Sequence, residues 1–119
     1  MRIQTALAAA LVAAPCLSHA VVYQFNASLN SANEVNSTSA ETATGIASLS
    51  YDDKGTLSLT DDTYGFTMFV AGLSGAATAF HIHGAASTAE NAPVRVSLDA
   101  APFLSLNSGG NLLVGGSGI

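Results

Sequence analysis

The chain has 119 residues, room for one domain and not two. Only 9% of them are charged, against about 25% in an ordinary soluble domain, so Ser, Thr, Asn and backbone groups must supply most of the polar surface. Eight acidic side chains stand against three basic ones, for a formal net charge of −5, which argues against nucleic acid or anionic lipid as a partner.

Residues 1–20 carry the three parts of a secretory signal: Arg2 as a short positive region, an unbroken apolar run from Ala6 to Ala14, then Pro15 and the small residues of Ser18-His19-Ala20. Cleavage is expected between Ala20 and Val21, giving a secreted or periplasmic domain over residues 21–119. The alternative of a membrane anchor meets an apolar run too short to span a bilayer, so no integral span is expected after cleavage. Lipidation of Cys16 meets Pro15, where a lipoprotein signal wants a small residue. Cys16 is the one cysteine, so the processed domain would have neither disulfide nor thiolate and must hold together by its core alone. Without Arg2 it keeps Lys54 and Arg95 against eight acids, 2 − 8 = −6.

From Val21 the pattern is one of short alternating segments. Val21, Tyr23, Phe25, Ala27 and Leu29 share one face of a strand, and Gln24, Asn26 and Ser28 the other. Residues 30–41 read as a polar loop. Ala43, Gly45, Ala47, Leu49 and Tyr51 alternate through a second strand, with Ile46 apolar on the outer side. Asp52-Asp53-Lys54-Gly55 is a strong turn signal, and Thr56 to Thr60 is expected to return as a hairpin strand with Leu57 and Leu59 inward. Tyr64, Phe66, Met68 and Val70 share a face. Further strands are expected over Ala76 to His83 and from Val94 to Leu98, and a weak one at Leu112 to Val114 among glycines. Many short strands with Gly, Asp and Ser turns predict an all-β, antiparallel sandwich or barrel.

Three stretches resemble the CHRD (chordin-type) family. They are Phe25 to Val35, with its Asn33-Glu34-Val35 turn; Ala43 to Tyr51; and, most specific, Gly72-Leu73-Ser74-Gly75 leading to Phe80-His81-Ile82-His83-Gly84. Asn91-Ala92-Pro93-Val94-Arg95-Val96 also fits. The resemblance runs from about Val21 to Leu98. It implies an immunoglobulin-like, Greek-key β-sandwich outside the cytoplasm with no enzyme activity; in chordin such domains sit beside modules that bind growth factors. Complete members continue to an Asn-x-His element and a Gly-Gly-Glu-Ile-Arg-Gly ending. This sequence has neither, and Asn111 to Val114 reads as a remnant, so an incomplete or degenerate last strand is expected.

His81 and His83 are the histidines that remain after cleavage. At i and i+2 of a strand they share a face about 6.6–6.8 Å apart along the chain, so two imidazoles can converge on copper or zinc while Phe80 and Ile82 turn to the core. The segment also resembles the copper-ligand strand of Cu/Zn superoxide dismutase, but a third ligand would have to be Glu90, Asp99 or another chain, which argues against a dismutase. The competing reading is structural, with the histidines bonded to loop carbonyls. Asp52-Asp53 and Asp61-Asp62 could attract calcium but lack a calcium-loop pattern and read as solvated turns. Asn26-Ala27-Ser28 and Asn36-Ser37-Thr38 match the glycosylation sequon. No nucleophile elbow is present, and Ser74 reads as a turn residue. The expectation is a non-catalytic binding or structural module for an unidentified protein or surface partner, without a resident cofactor; the alternative is a copper- or zinc-binding accessory protein, and a third is a copy without a stable fold.

Overall fold

The computed structural model describes residues 19–33, 41–87 and 89–119. The leader before His19 and the Asn36 sequon lie outside the described residues. Seven strands follow one another: β1 (Val22–Asn30), β2 (Thr44–Asp52), β3 (Thr63–Ala71), β4 (His81–His83), β5 (Val94–Ser97), β6 (Leu104–Ser108) and β7 (Asn111–Gly118). They form an antiparallel sheet of five in the order β1-β2-β3-β7-β6 and a smaller antiparallel sheet of β4 and β5. The all-β, antiparallel sandwich expected from the alternation is present. The one helical element among the described residues is a 3-10 turn, Ser31–Asn33.

Register turns the alternation of single strands into rows across the large sheet. Phe25 faces Leu49, Leu49 faces Phe66 and Phe66 faces Gly116; one row along, Ala27, Ala47, Met68 and Val114 line up. Because side chains alternate between faces, these rows lie on one side and bury together. Phe66, Met68, Leu112 and Val114 form the core with Leu98 and Phe103, and Leu73, Ala77, Phe80 and Ile82 pack against it. The small sheet and its flanking loops therefore cover the β3–β7 side. At β1 the cover runs out, and Tyr23 and Phe25 stay about half exposed.

Three expectations about strands are corrected. Thr56 to Thr60 is not a strand, and β2 pairs directly with β3 across the loop between them. Leu57 and Leu59 are fully or largely exposed, not inward. The hydroxyls of this segment bond locally instead: Thr56 Oγ1 donates to Ser58 O and to Asp61 Oδ1 at 3.2 and 3.0 Å, and Ser58 Oγ meets Thr60 Oγ1 at 2.8 Å. Such bonds offer the chain an alternative to a sheet ladder. The strand expected over Ala76 to His83 is shorter, with only His81–His83 in the ladder.

The third correction concerns the weak last strand. Asn111–Gly118 is a full strand, and it lies inside the sheet between β3 and β6. Its glycines fit what crosses them. A Cβ on Gly116 would come within 2.6 Å of the Phe103 ring, so the glycine leaves room for Phe103 to lie over the sheet. That ring meets Phe66 edge-on at 5.8 Å and Tyr64 at 6.2 Å.

Candidate functional site

β4 owes its orientation to its two apolar residues. Phe80 and Ile82 pack against the core, which turns His81 and His83 outward, both exposed. Main-chain bonds fix the strand on either side: Leu98 N donates to Phe80 O at 3.0 Å and Gly84 N donates to Pro93 O at 3.3 Å. His81 lies opposite Ser97 and His83 opposite Val94, with a bulge between Ile82 and His83. The two imidazole centroids are 6.0 Å apart.

Each histidine has a distinct setting. His83 Nδ1 lies 2.7 Å from Ala92 O. A carbonyl only accepts, so Nδ1 carries the hydrogen, and in the neutral ring the lone pair lies on Nε2. Asp99 lies near His81. The hydrogen bond from Ser97 Oγ at 2.6 Å holds the Asp99 carboxyl below the ordinary aspartate range, and the charge of His81 adds a smaller push in the same direction. Arg95 Nε donates to Gly84 O at 3.0 Å, tying the start of the following loop to β5.

Beside β4 opens a cleft of about 700 Å³. Met68, Phe80 and Leu112 give it apolar walls, and His81, His83 and Glu90 are among its polar lining. The other sequence candidates are dispersed. Lys54 Nζ lies 2.6 Å from Asp52 Oδ2, which keeps the Asp52 carboxyl below its usual range. Asp53 Oδ1 accepts from the backbone nitrogens of Val21 at 2.7 Å and Gly55 at 2.9 Å. Asp61 accepts from Thr56, whereas Asp62 is buried, accepts from the Tyr51 hydroxyl and leaves Oδ1 without a hydrogen-bond partner. The reading of Asp62 as part of a solvated turn is thereby corrected. Among the described residues no group of three His, Cys, Asp or Glu is gathered to hold a metal. Asn26, the described sequon, accepts from Ser48 Oγ at 2.7 Å.

One polar contact escaped the sequence reading. Ser74 donates from both its backbone nitrogen, at 3.1 Å, and its hydroxyl, at 2.6 Å, to Glu41 Oε2, while Glu41 Oε1 accepts from the nitrogens of Thr42 and Ala43. The Ser74 bonds hold the Glu41 carboxyl below the usual glutamate range. They join loops 33 residues apart in sequence, and no local pattern signals such a pairing.

No helix among the described residues is long and apolar enough to cross a membrane. No curated protein and no solved structure matches the chain. The family model of the CHRD domain does match, over residues 25–111, well over half of the sequence. That span contains most of β1, all of β2 to β6, the cleft lining apart from Leu112, and both strand histidines, and it makes this chain a member of the CHRD domain family.

Proposed function

We propose that the protein acts outside the cytoplasm as a non-catalytic binding module, and that its partner docks at the cleft beside β4. The observation that carries this reading is the make-up of the cleft: apolar walls from Met68, Phe80 and Leu112 with exposed polar groups at His81, His83 and Glu90. Recognition sites combine an apolar body with a few placed polar groups in this way. Membership of the CHRD family agrees with a binding or structural role. The Ser74 hydroxyl donates to Glu41 and so straps two loops together.

Export rests on the leader and on cleavage after Ala20. The intact mass of the protein from the exported fraction tests it: a chain starting at Val21 supports the reading, and an uncleaved or lipidated mass overturns it. Docking is tested by placing a photo-crosslinking residue at Glu90 and, as control, at Thr67 on the opposite face of the large sheet. Adducts from position 90 that are absent from position 67 are expected. Equal labelling at both positions, or none at 90, would sink the cleft as the docking site.

A further inference from the structure

We propose that His81 and His83 form a two-imidazole chelate for Cu(II), open on its solvent side. This goes beyond the docking reading and does not depend on it. Three independent observations carry it.

The first is separation. A metal lies about 2.0–2.1 Å from a ligating imidazole nitrogen, which puts each ring centroid roughly 3.2 Å from the ion. Two rings sharing an ion can then be at most about 6.4 Å apart, and the observed 6.0 Å falls within that reach.

The second is the tautomer. A ligating histidine usually gives its other ring hydrogen to a carbonyl or carboxylate, which fixes the ring and raises its basicity. His83 already does so through Nδ1 and Ala92 O, so Nε2 is prepared as a donor before any ion arrives. The carbonyl comes from the loop before β5, which Gly84 N and Arg95 Nε tie in place.

The third is charge and access. Both rings are exposed on the outer side of β4, with Asp99 near His81 and Glu90 lining the same cleft. These carboxylates favour a cation in the vicinity without joining a ligand set. Zinc structural sites close with four protein ligands, which this strand does not gather. Cu(II) stands highest among the divalent first-row ions for nitrogen donors and accepts a tetragonal set completed by water. The remaining positions are therefore open to solvent or to a donor from a partner.

The experiment uses the protein recovered from the exported fraction, titrated with CuCl₂ and separately with ZnCl₂, and followed by native mass spectrometry and electron paramagnetic resonance. One copper per chain is expected, with hyperfine coupling from two imidazole nitrogens and with zinc bound more weakly. His81→Ala and His83→Ala should each weaken copper binding by about tenfold or more while leaving the circular dichroism spectrum unchanged, because both rings are exposed. Copper coupling that survives in the double variant, a parent that takes up no copper, or zinc bound more tightly than copper would each overturn the assignment.

Discussion

Tyr51 and Asp62 show how strongly one contact can set the state of a side chain. The Tyr51 hydroxyl donates to a carboxylate that is only 6% exposed, and this bond, followed by desolvation and by the charges of Asp62 and Asp53, pushes the phenol up to about 12. A group raised in the folded state stabilises the fold below its unfolded value, near 10, and that contribution fades as pH rises through about 12. An ultraviolet titration of the three tyrosines should therefore show one late ionisation. Tyr51→Phe should remove that step and lower the denaturation midpoint at neutral pH by orphaning the rest of the Asp62 carboxylate. If the late step persists in Tyr51→Phe, it belongs to another residue. The sequence could not show this pair, because paired acids in a turn look solvated until the fold brings a tyrosine over one of them. The histidine face was legible, since period two alone sets it. The structural reading, a histidine bonded to a loop carbonyl, holds for His83, but that the carbonyl is Ala92's depends on how the loop after Gly84 folds back.

Strands differ in how plainly their sequences announce them. β1, β2 and β3 alternate over nine residues each and were legible to within a residue or two. Thr56 to Thr60 alternates just as well, yet its hydroxyls bond to one another and to Asp61, and it stays out of the sheet. β7 misleads in the opposite direction. Its glycines weaken the strand signal because the side chains that fill those places, such as Phe103, come from elsewhere in the chain. The start of β1 carries a prediction of its own. Val21 N already lies 2.7 Å from Asp53 Oδ1, and Asp53 N returns a bond to Val21 O at 3.2 Å. Processing after Ala20, as proposed, would turn this amide into an ammonium facing a carboxylate. Asp53→Asn should then destabilise the processed chain more than the same chain acetylated at Val21, by less than about 1 kcal/mol for so exposed a pair. Equal losses in thermal melts of the two would show that the new charge plays no part.

The molecule as a whole rests on a narrow, one-sided core. Leu98 and Val114 are its most deeply buried side chains, and Leu98 comes from the covering layer while Val114 belongs to the sheet. Leu98→Ala should cost about 2–5 kcal/mol in urea denaturation. That is a large share of the roughly 5–15 kcal/mol typical of a domain. Leu113→Ala, on the outer face and 48% exposed, should change stability by only about 0.5 kcal/mol. Comparable losses in the two would mean that the outer face is as tightly packed as the core.

The place of β7 also sets the timing of folding during synthesis. β1, β2 and β3 can zip together as successive antiparallel neighbours, but β6 reaches the sheet only through β7. A growing chain therefore cannot seal its core until residues 111–118 have emerged, and until then Phe66 and Met68 lack their β7 neighbours. Contacts so distant in sequence form slowly. Pairing of β3 with β7 is therefore the step expected to limit how fast the sheet closes.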